Sequence, residues 1–164
     1  DGTAIGKNIW RVRLDGTGLQ AITRSTNTSF SMLPGDFLAS DVGMIAQGNL
    51  SLTGLDSDTP NSSSNIWAFS MDGATRRAQT FNTSTGLGVA SVGLSPDKAY
   101  VLYRSYTALD GSWNGSAAGY NLWRGRVSKD GGVSDRRALT TSSVSTFNAF
   151  HTRNGGWYQT DTCR

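Results

Sequence analysis

The strongest constraint on the fold of this chain is an internal repeat of about 56 residues. The tripeptides Asn8-Ile9-Trp10, Asn65-Ile66-Trp67 and Asn121-Leu122-Trp123 begin 57 and 56 residues apart. Each opens a strand-like run that ends at an Asp-Gly pair, and the returning run closes at a threonine. Asp-Gly between two such runs predicts a β-hairpin, because both residues tolerate positive φ. The pairs are Asp15-Gly16, Asp72-Gly73 and Asp130-Gly131, and the threonines are Thr23, Thr80 and Thr140.

A second landmark, a turn at Ser95-Pro96-Asp97 followed by a strand-like run, keeps the same period. The distance from Asp41 to Asn65 equals that from Asp97 to Asn121, 24 residues in both copies. Each period therefore holds four strand candidates, A to D, with the Asn-x-Trp on C and the Asp-Gly between C and D. The predicted order is CD-ABCD-ABCD-AB, with approximate repeats at 1–29, 30–84, 85–143 and 144–164.

The composition agrees with a chain built of strands and turns. All 12 acidic residues are Asp, and only three lysines accompany 12 arginines, so strong helix formers are scarce. Gly, Ser, Thr and Asn, which favour turns and strands, are abundant instead. A hydrophobic content of 37% is enough for a core. We therefore predict an all-β fold.

The pattern of Asn-Ile-Trp, Asp-Gly and Thr, followed by Ser-Pro-Asp and a strand, resembles the TolB-like β-propeller repeat, a relative of the WD-type repeats. The best matches are Ala138-Leu139-Thr140 and Ser95-Pro96-Asp97. The pattern departs from the family at Ser40-Asp41, which lacks the proline, and at Arg153-Asn154, which replaces Pro-Asp. The resemblance implies four-stranded propeller blades, about three blades' worth in this chain.

The predicted strand order leaves half a blade at each end of the sequence. Joining these halves within one chain would close a ring of three blades, fewer than the usual four to eight. We therefore expect either a segment of a longer propeller or a subunit whose A-B strands complete the C-D strands of another copy. Two copies would give six blades. On this hypothesis the isolated chain does not form a stable monomer.

No catalytic or metal-binding constellation is marked by the sequence, and we expect no cofactor, metal or catalytic residue. His151 is the only histidine, and a packing or surface role is favoured for it. Asp56-Ser57-Asp58-Thr59-Pro60-Asn61 begins like a calcium loop, but proline occupies the third ligand position and no glutamate is present to complete it. A polar loop is the better interpretation. Cys163 is interpreted as a plain terminal thiol.

The long loops between strands B and C would lie on one face of a propeller, the face that usually carries ligands. In the third repeat this region offers an aromatic with polar neighbours, suited to a glycan or a peptide. The alternative is a loop aromatic folded back onto the blade edge. The candidate residues are Asp110, Trp113, Asn114 and Tyr120. The repeated Trp10, Trp67 and Trp123 are interpreted as structural, filling space between neighbouring blades.

These observations favour a non-catalytic, extracytoplasmic propeller module for protein or glycan binding or for assembly. The partner would be another protein or another copy that completes the propeller by strand pairing, with a glycan as an alternative ligand. A net charge of +3 with interspersed Asp does not indicate nucleic-acid binding, and no apolar run is long enough to span a membrane. A Ser/Thr/Asn/Gly-rich surface suggests a secreted, periplasmic or cell-surface protein. The alternatives are the propeller portion of a carbohydrate lyase or prolyl-oligopeptidase-like hydrolase, and a β-trefoil lectin.

Overall fold

A computed structural model describes residues 6–39, 42–84, 88–109, 111, 116–141, 143, 147–151 and 157–160. The regular structure of these residues consists of β-strands, so the prediction of an all-β fold is confirmed. Within the same ranges, no helix is both long and apolar enough to cross a membrane. The strands are β1 (Trp10–Arg11), β2 (Gln20–Ala21), β3 (Met32–Phe37), β4 (Gly43–Gly48), β5 (Asn65–Ser70), β6 (Arg76–Ala78), β7 (Val89–Leu94), β8 (Tyr100–Thr107), β9 (Ser116–Val127), β10 (Val133–Ala138), β11 (Phe147–His151) and β12 (Trp157–Thr160).

The strands form separate antiparallel sheets, each made of consecutive strands. The first sheet contains β1 and β2, the second β3 to β6, the third β7 to β10, and the fourth β11 and β12. Across the described residues, none of these sheets closes into a barrel. The arrangement of the sheets as propeller blades remains a prediction.

The Asp-Gly pairs form the tight turns that join the last two strands of a repeat. Gly16, Gly73 and Gly131 have φ values of +80°, +73° and +82°, which an L side chain rarely adopts. The preceding aspartate stabilises the turn from within. Asp72 Oδ1, for example, accepts hydrogen bonds from Ser70 Oγ at 2.6 Å and from the Ala74 backbone N–H at 2.9 Å.

The repeated Asn and Thr form a hydrogen-bonded clamp, buried in the second sheet and partly buried in the first and third, that holds the start of one strand to the end of the next. Asn65 Oδ1 accepts a hydrogen bond from Thr80 Oγ1 at 2.8 Å and another from the Asn82 backbone N–H at 2.8 Å. Thr80 Oγ1 in turn accepts the Ile66 N–H at 2.9 Å. The period found in the sequence thus records a structural contact. The same Thr-to-Asn bond, at 3.0 Å, joins Thr23 to Asn8 and Thr140 to Asn121.

The core lies between sheets, and the second sheet is buried on both of its faces. One face packs on the first sheet, and the other packs on the third. The first cluster includes Ile9, Ile22, Met44, Ala46, Trp67 and Phe69. The second includes Ile45, Ile66, Ala68, Val101, Tyr103 and Trp123.

Hydrogen bonds from backbone N–H groups of β7 to side chains of β3 and β4 hold the third sheet against the second. The N–H of Val92 donates to Gln47 Oε1 at 3.2 Å, and the N–H of Leu94 donates to Asp36 Oδ2 at 2.7 Å. β7 therefore lies directly on β3 and β4. The first strand of one sheet thus covers the first two strands of the sheet before it.

Candidate functional site

The three repeated tryptophans occupy the same strand position but have very different environments. Trp67 and Trp123 are 1% and 2% exposed, whereas Trp10 is 44% exposed. β5 lies between β4 and β6, and β9 lies between β8 and β10, whereas β2 is the one described strand that pairs with β1. The interpretation of these rings as buried packing residues therefore fits two of them. Trp10 instead lies at a surface that the other described residues leave partly uncovered.

Among the described strands, β2 pairs with one edge of β1 and none pairs with the other, which is called the open edge below. On the paired side, the Ile9 carbonyl accepts the Ile22 N–H at 2.9 Å, and the Arg13 N–H donates to the Thr17 carbonyl at 2.9 Å. Successive residues of an antiparallel strand direct their backbone groups to opposite edges. The N–H and C=O groups of Trp10 and Val12 therefore face the open edge. Such an edge is a template for pairing with another strand.

The hairpin built on β1 and β2 also presents an apolar surface. Trp10, Val12, Leu14 and Leu19 are all exposed. Exposed apolar side chains that cluster in this way mark interaction surfaces more often than isolated ones do. The hairpin therefore combines an unpaired backbone with an uncovered apolar surface.

The turn of this hairpin is also uncovered, unlike its two counterparts. A Cβ added to Gly73 would lie 2.8 Å from the Ile22 carbonyl oxygen, and one added to Gly131 would lie 2.7 Å from Ala68 Cβ. A Cβ added to Gly16 would have no atom within 4 Å. Each of the other two turns thus packs on the preceding sheet, whereas no described residue packs on the turn at Gly16.

A cleft of about 580 Å³ runs alongside β1. Trp10 and Val12 line it from β1, and Pro34, Phe37 and Met44 line it from β3 and β4. On their other face, β3 and β4 are covered by β7, the first strand of the third sheet. The cleft thus borders β1 on one side and β3 and β4 on the other.

Two side chains anchor the two-stranded first sheet to the second. Arg11 donates from Nη1 to the Met71 carbonyl at 2.8 Å and from Nε to Gln20 Oε1 at 2.9 Å. Gln20 Nε2 lies 3.5 Å from the Asp72 carbonyl, to which it donates. These contacts hold the hairpin against the second sheet and do not involve the open edge of β1.

The acidic loop that begins like a calcium site uses its carboxylates within the protein. Asp56 forms an ion pair with Arg76 at 2.8 Å, and both side chains are largely buried. Asp58 accepts a hydrogen bond from Thr53 Oγ1 at 2.6 Å. In the part of the chain that the structure describes, no three His, Cys, Asp or Glu side chains come together as metal ligands would.

Of the four predicted ligand-binding residues, the structure describes one, Tyr120. Asp110, Trp113 and Asn114 lie outside the described residues. Tyr120 lies on β9, where its ring centroid is 3.9 Å from that of Tyr106 and 5.1 Å from the guanidinium carbon of Arg104. Tyr120 is thus engaged with its own sheet, and the ligand-binding role of the four residues stays a prediction. Of the other two residues discussed above, His151 falls on β11 and Cys163 lies outside the described residues.

The turn carboxylates differ in their electrostatic surroundings. The Ser128 hydroxyl, and after it the Arg77 guanidinium, lower the pKa of Asp130 to about 2. Hydrogen bonds from the backbone N–H and the hydroxyl of Thr17 lower the pKa of Asp15. Asp130 thus faces a cation from the preceding sheet, whereas the described partners of Asp15 belong to its own turn.

The open edge of β1 was not among the site residues expected from sequence. The repeat carried no signal for it, because Trp10 occupies the same position of the motif as Trp67 and Trp123. No protein-family model and no curated protein sequence matches this chain. The resemblance to the TolB-like repeat therefore remains a prediction.

Proposed function

We propose that this chain is a non-catalytic β-propeller module that assembles by strand pairing, with the β11–β12 pair of a second copy completing its first sheet. The observation that carries the proposal is the contrast between Trp10, which is 44% exposed, and Trp67, which is 1% exposed at the equivalent position. An exposed tryptophan beside an unpaired strand edge is a strong candidate for an interface.

The two short sheets are complementary halves of one four-stranded sheet. β1 and β2 carry the Asn-x-Trp and the Asp-Gly turn, which belong to the third and fourth strands of a repeat. By the same period, β11 and β12 correspond to the first and second strands, such as β7 and β8. Two copies joined in this way would contain six four-stranded sheets, which lies within the range of known propellers. Because each copy would contribute both halves, the contact would be reciprocal and the ring would close.

The competing functions make different predictions about the β1 edge. The propeller portion of an enzyme would carry its reacting residues outside this segment and does not require pairing between copies. A β-trefoil needs a barrel, whereas the sheets described above are open and separate.

A secreted or periplasmic location is part of the proposal and rests on composition. Glycan binding would depend on the loop that contains Asp110 and Trp113.

The proposal is tested by measuring the mass of the chain in solution by light scattering. We expect twice the 17.5 kDa of one chain. Val12→Pro removes an N–H that faces the open edge and leaves the Ile9 and Arg13 hydrogen bonds intact, so this variant should be monomeric. The matched control, Val12→Thr, keeps both the β-branched shape and the N–H and should stay dimeric.

Circular dichroism and thermal unfolding establish that Val12→Pro is folded before its mass is interpreted. A folded wild-type chain that stays monodisperse at 17.5 kDa as its concentration is raised would overturn the proposal. A folded Val12→Pro variant that dimerises as well as Val12→Thr would also overturn it, because strand pairing at this edge could not then be the interface.

A further inference from the structure

Neighbouring sheets are linked by a contact that recurs at equivalent positions of the repeat. Arg77, three residues before the closing Thr80, forms an ion pair with Asp130 of the next Asp-Gly turn, Nη1 to Oδ2, at 2.7 Å. Gln20, three residues before Thr23, donates to the carbonyl of Asp72 in the next turn at 3.5 Å. The position three residues before the threonine therefore receives the Asp-Gly turn of the following sheet.

The third repeat carries this receiving position without a described partner. Arg137 lies three residues before Thr140 on β10 and is exposed. Among the described residues, no carboxylate or carbonyl accepts a hydrogen bond from its guanidinium. The charge and the position in the repeat are those of Arg77, so Arg137 is suited to receive an Asp-Gly turn.

The first repeat carries a turn without a receiving position. Asp15 Oδ1 accepts hydrogen bonds from the backbone N–H and the hydroxyl of Thr17, at 2.9 and 2.7 Å. Its other carboxylate oxygen faces no described cation, and the adjoining Gly16 has open space around it. Asp15 and Arg137 thus hold the repeat positions of Asp130 and Arg77, and among the described residues neither has an ion-pair partner.

We propose that Asp15 of one copy forms an ion pair with Arg137 of a second copy. This inference rests on the proposed assembly. In the described residues, β11 packs on β7 and β8, so a sheet that contains β11 and β12 follows the third sheet. If β1 and β2 of the second copy extend that sheet, they lie over β9 and β10. The turn at Asp15 then reaches Arg137 as the turn at Asp130 reaches Arg77.

The exposure of the equivalent pair sets the expected size of the effect. The Arg77 and Asp130 side chains are 55% and 62% exposed, so water and salt weaken their attraction. An exposed pair of this kind sets register and partner choice more than raw affinity. We therefore expect reversal of one charge to weaken dimerisation about fivefold at low salt and by less at high salt.

The test is a charge swap, with the dimer dissociation constant measured by sedimentation equilibrium at low ionic strength. Arg137→Glu and Asp15→Lys should each weaken the dimer about fivefold, and the double variant should return to within about twofold of wild type. Because Asp15→Lys also removes the acceptor for Thr17, Asp15→Asn is measured beside it. This variant keeps Oδ1 and should weaken the dimer by about twofold.

Arg24→Glu is the matched control, because Arg24 is exposed and its guanidinium has no described partner. It changes the net charge as Arg137→Glu does and should leave the dissociation constant unchanged. If the wild type dimerises but the swap does not restore affinity, the ion pair is wrong while the proposed assembly stands. If the wild type is a monomer, the proposed assembly is itself wrong, and the ion pair that depends on it is wrong as well.

Discussion

The first and second sheets are built from the same motif, yet one is open and the other is fully covered. Asn8 and Asn65 accept the same threonine hydroxyl bond, and both hairpins turn at Asp-Gly. Trp67 lies on a strand that is paired on both sides and packs against the first sheet, whereas the described residues pair the strand of Trp10 on one side only. The repeat therefore encodes the hairpin and its clamp, while burial depends on the strands and sheets around it.

The energetic support of the two sheets differs accordingly. Apolar side chains from neighbouring sheets pack on both faces of the second sheet, and Trp67 lies 6.3 Å from Phe69, centroid to centroid. The first sheet has an apolar cluster on one face and relies on polar anchors such as Arg11 at its edge. Burial of large apolar groups outweighs exposed polar contacts in stability, so the same substitution should have unequal effects in the two sheets.

The largest difference is expected for tryptophan truncation. Trp67→Ala should lower the free energy of unfolding by about 3–5 kcal/mol, because it empties a buried site. Trp10→Ala should lower it by less than about 1 kcal/mol in the dissociated chain, because much of the ring is already in water. Urea unfolding at concentrations below the dimer dissociation constant measures both. Equal losses would mean that Trp10 is packed within the isolated chain.

A smaller difference is expected for the asparagine clamp. Asn65→Ala leaves the Thr80 hydroxyl and the Asn82 N–H without their acceptor in a fully buried site, which should cost about 2–3 kcal/mol. Asn8→Ala should cost about 1 kcal/mol, because water can reach this partly buried site. Thermal and urea unfolding report both losses. Ser57→Ala, at an exposed loop position, serves as the control, and a greater loss for Asn8 than for Asn65 would contradict the prediction.

The smallest difference concerns pH. The pKa of Asp130 is about 2 in the folded protein and 3.8, the ordinary value of an aspartate, in the unfolded chain. The ionised carboxylate therefore stabilises the fold fully above about pH 4, and this stabilisation is lost as the pH falls toward 2. Asp130→Asn should therefore flatten the dependence of Tm on pH in this window. In the monomeric Val12→Pro background, Asp15→Asn should flatten it less, because none of the described residues places a cation beside Asp15 within one copy. An equal flattening by the two variants would break the comparison.

Much of the local structure could be predicted from the sequence because it depends on contacts within one repeat. The turns at Asp72 and Asp130 follow from the positive φ that glycine permits. The close of the returning run at Thr80 follows from the repeat, because Thr80 lies 15 residues after Asn65 as Thr23 lies 15 residues after Asn8. The ion pair between Arg77 and Asp130 could not be predicted in this way, because it joins residues of different sheets. Nor could the environment of Tyr120, whose ring packs on Tyr106 of the adjacent strand.

By itself, the sequence determined the all-β character of this chain, its period and the hairpins of each repeat. These features depend on backbone preferences and on partners close along the chain. The tertiary structure decided which faces are covered, and it singled out Trp10 from two otherwise equivalent tryptophans. Burial is a property of neighbours that are distant in sequence, so three copies of one motif can become two core positions and one open edge.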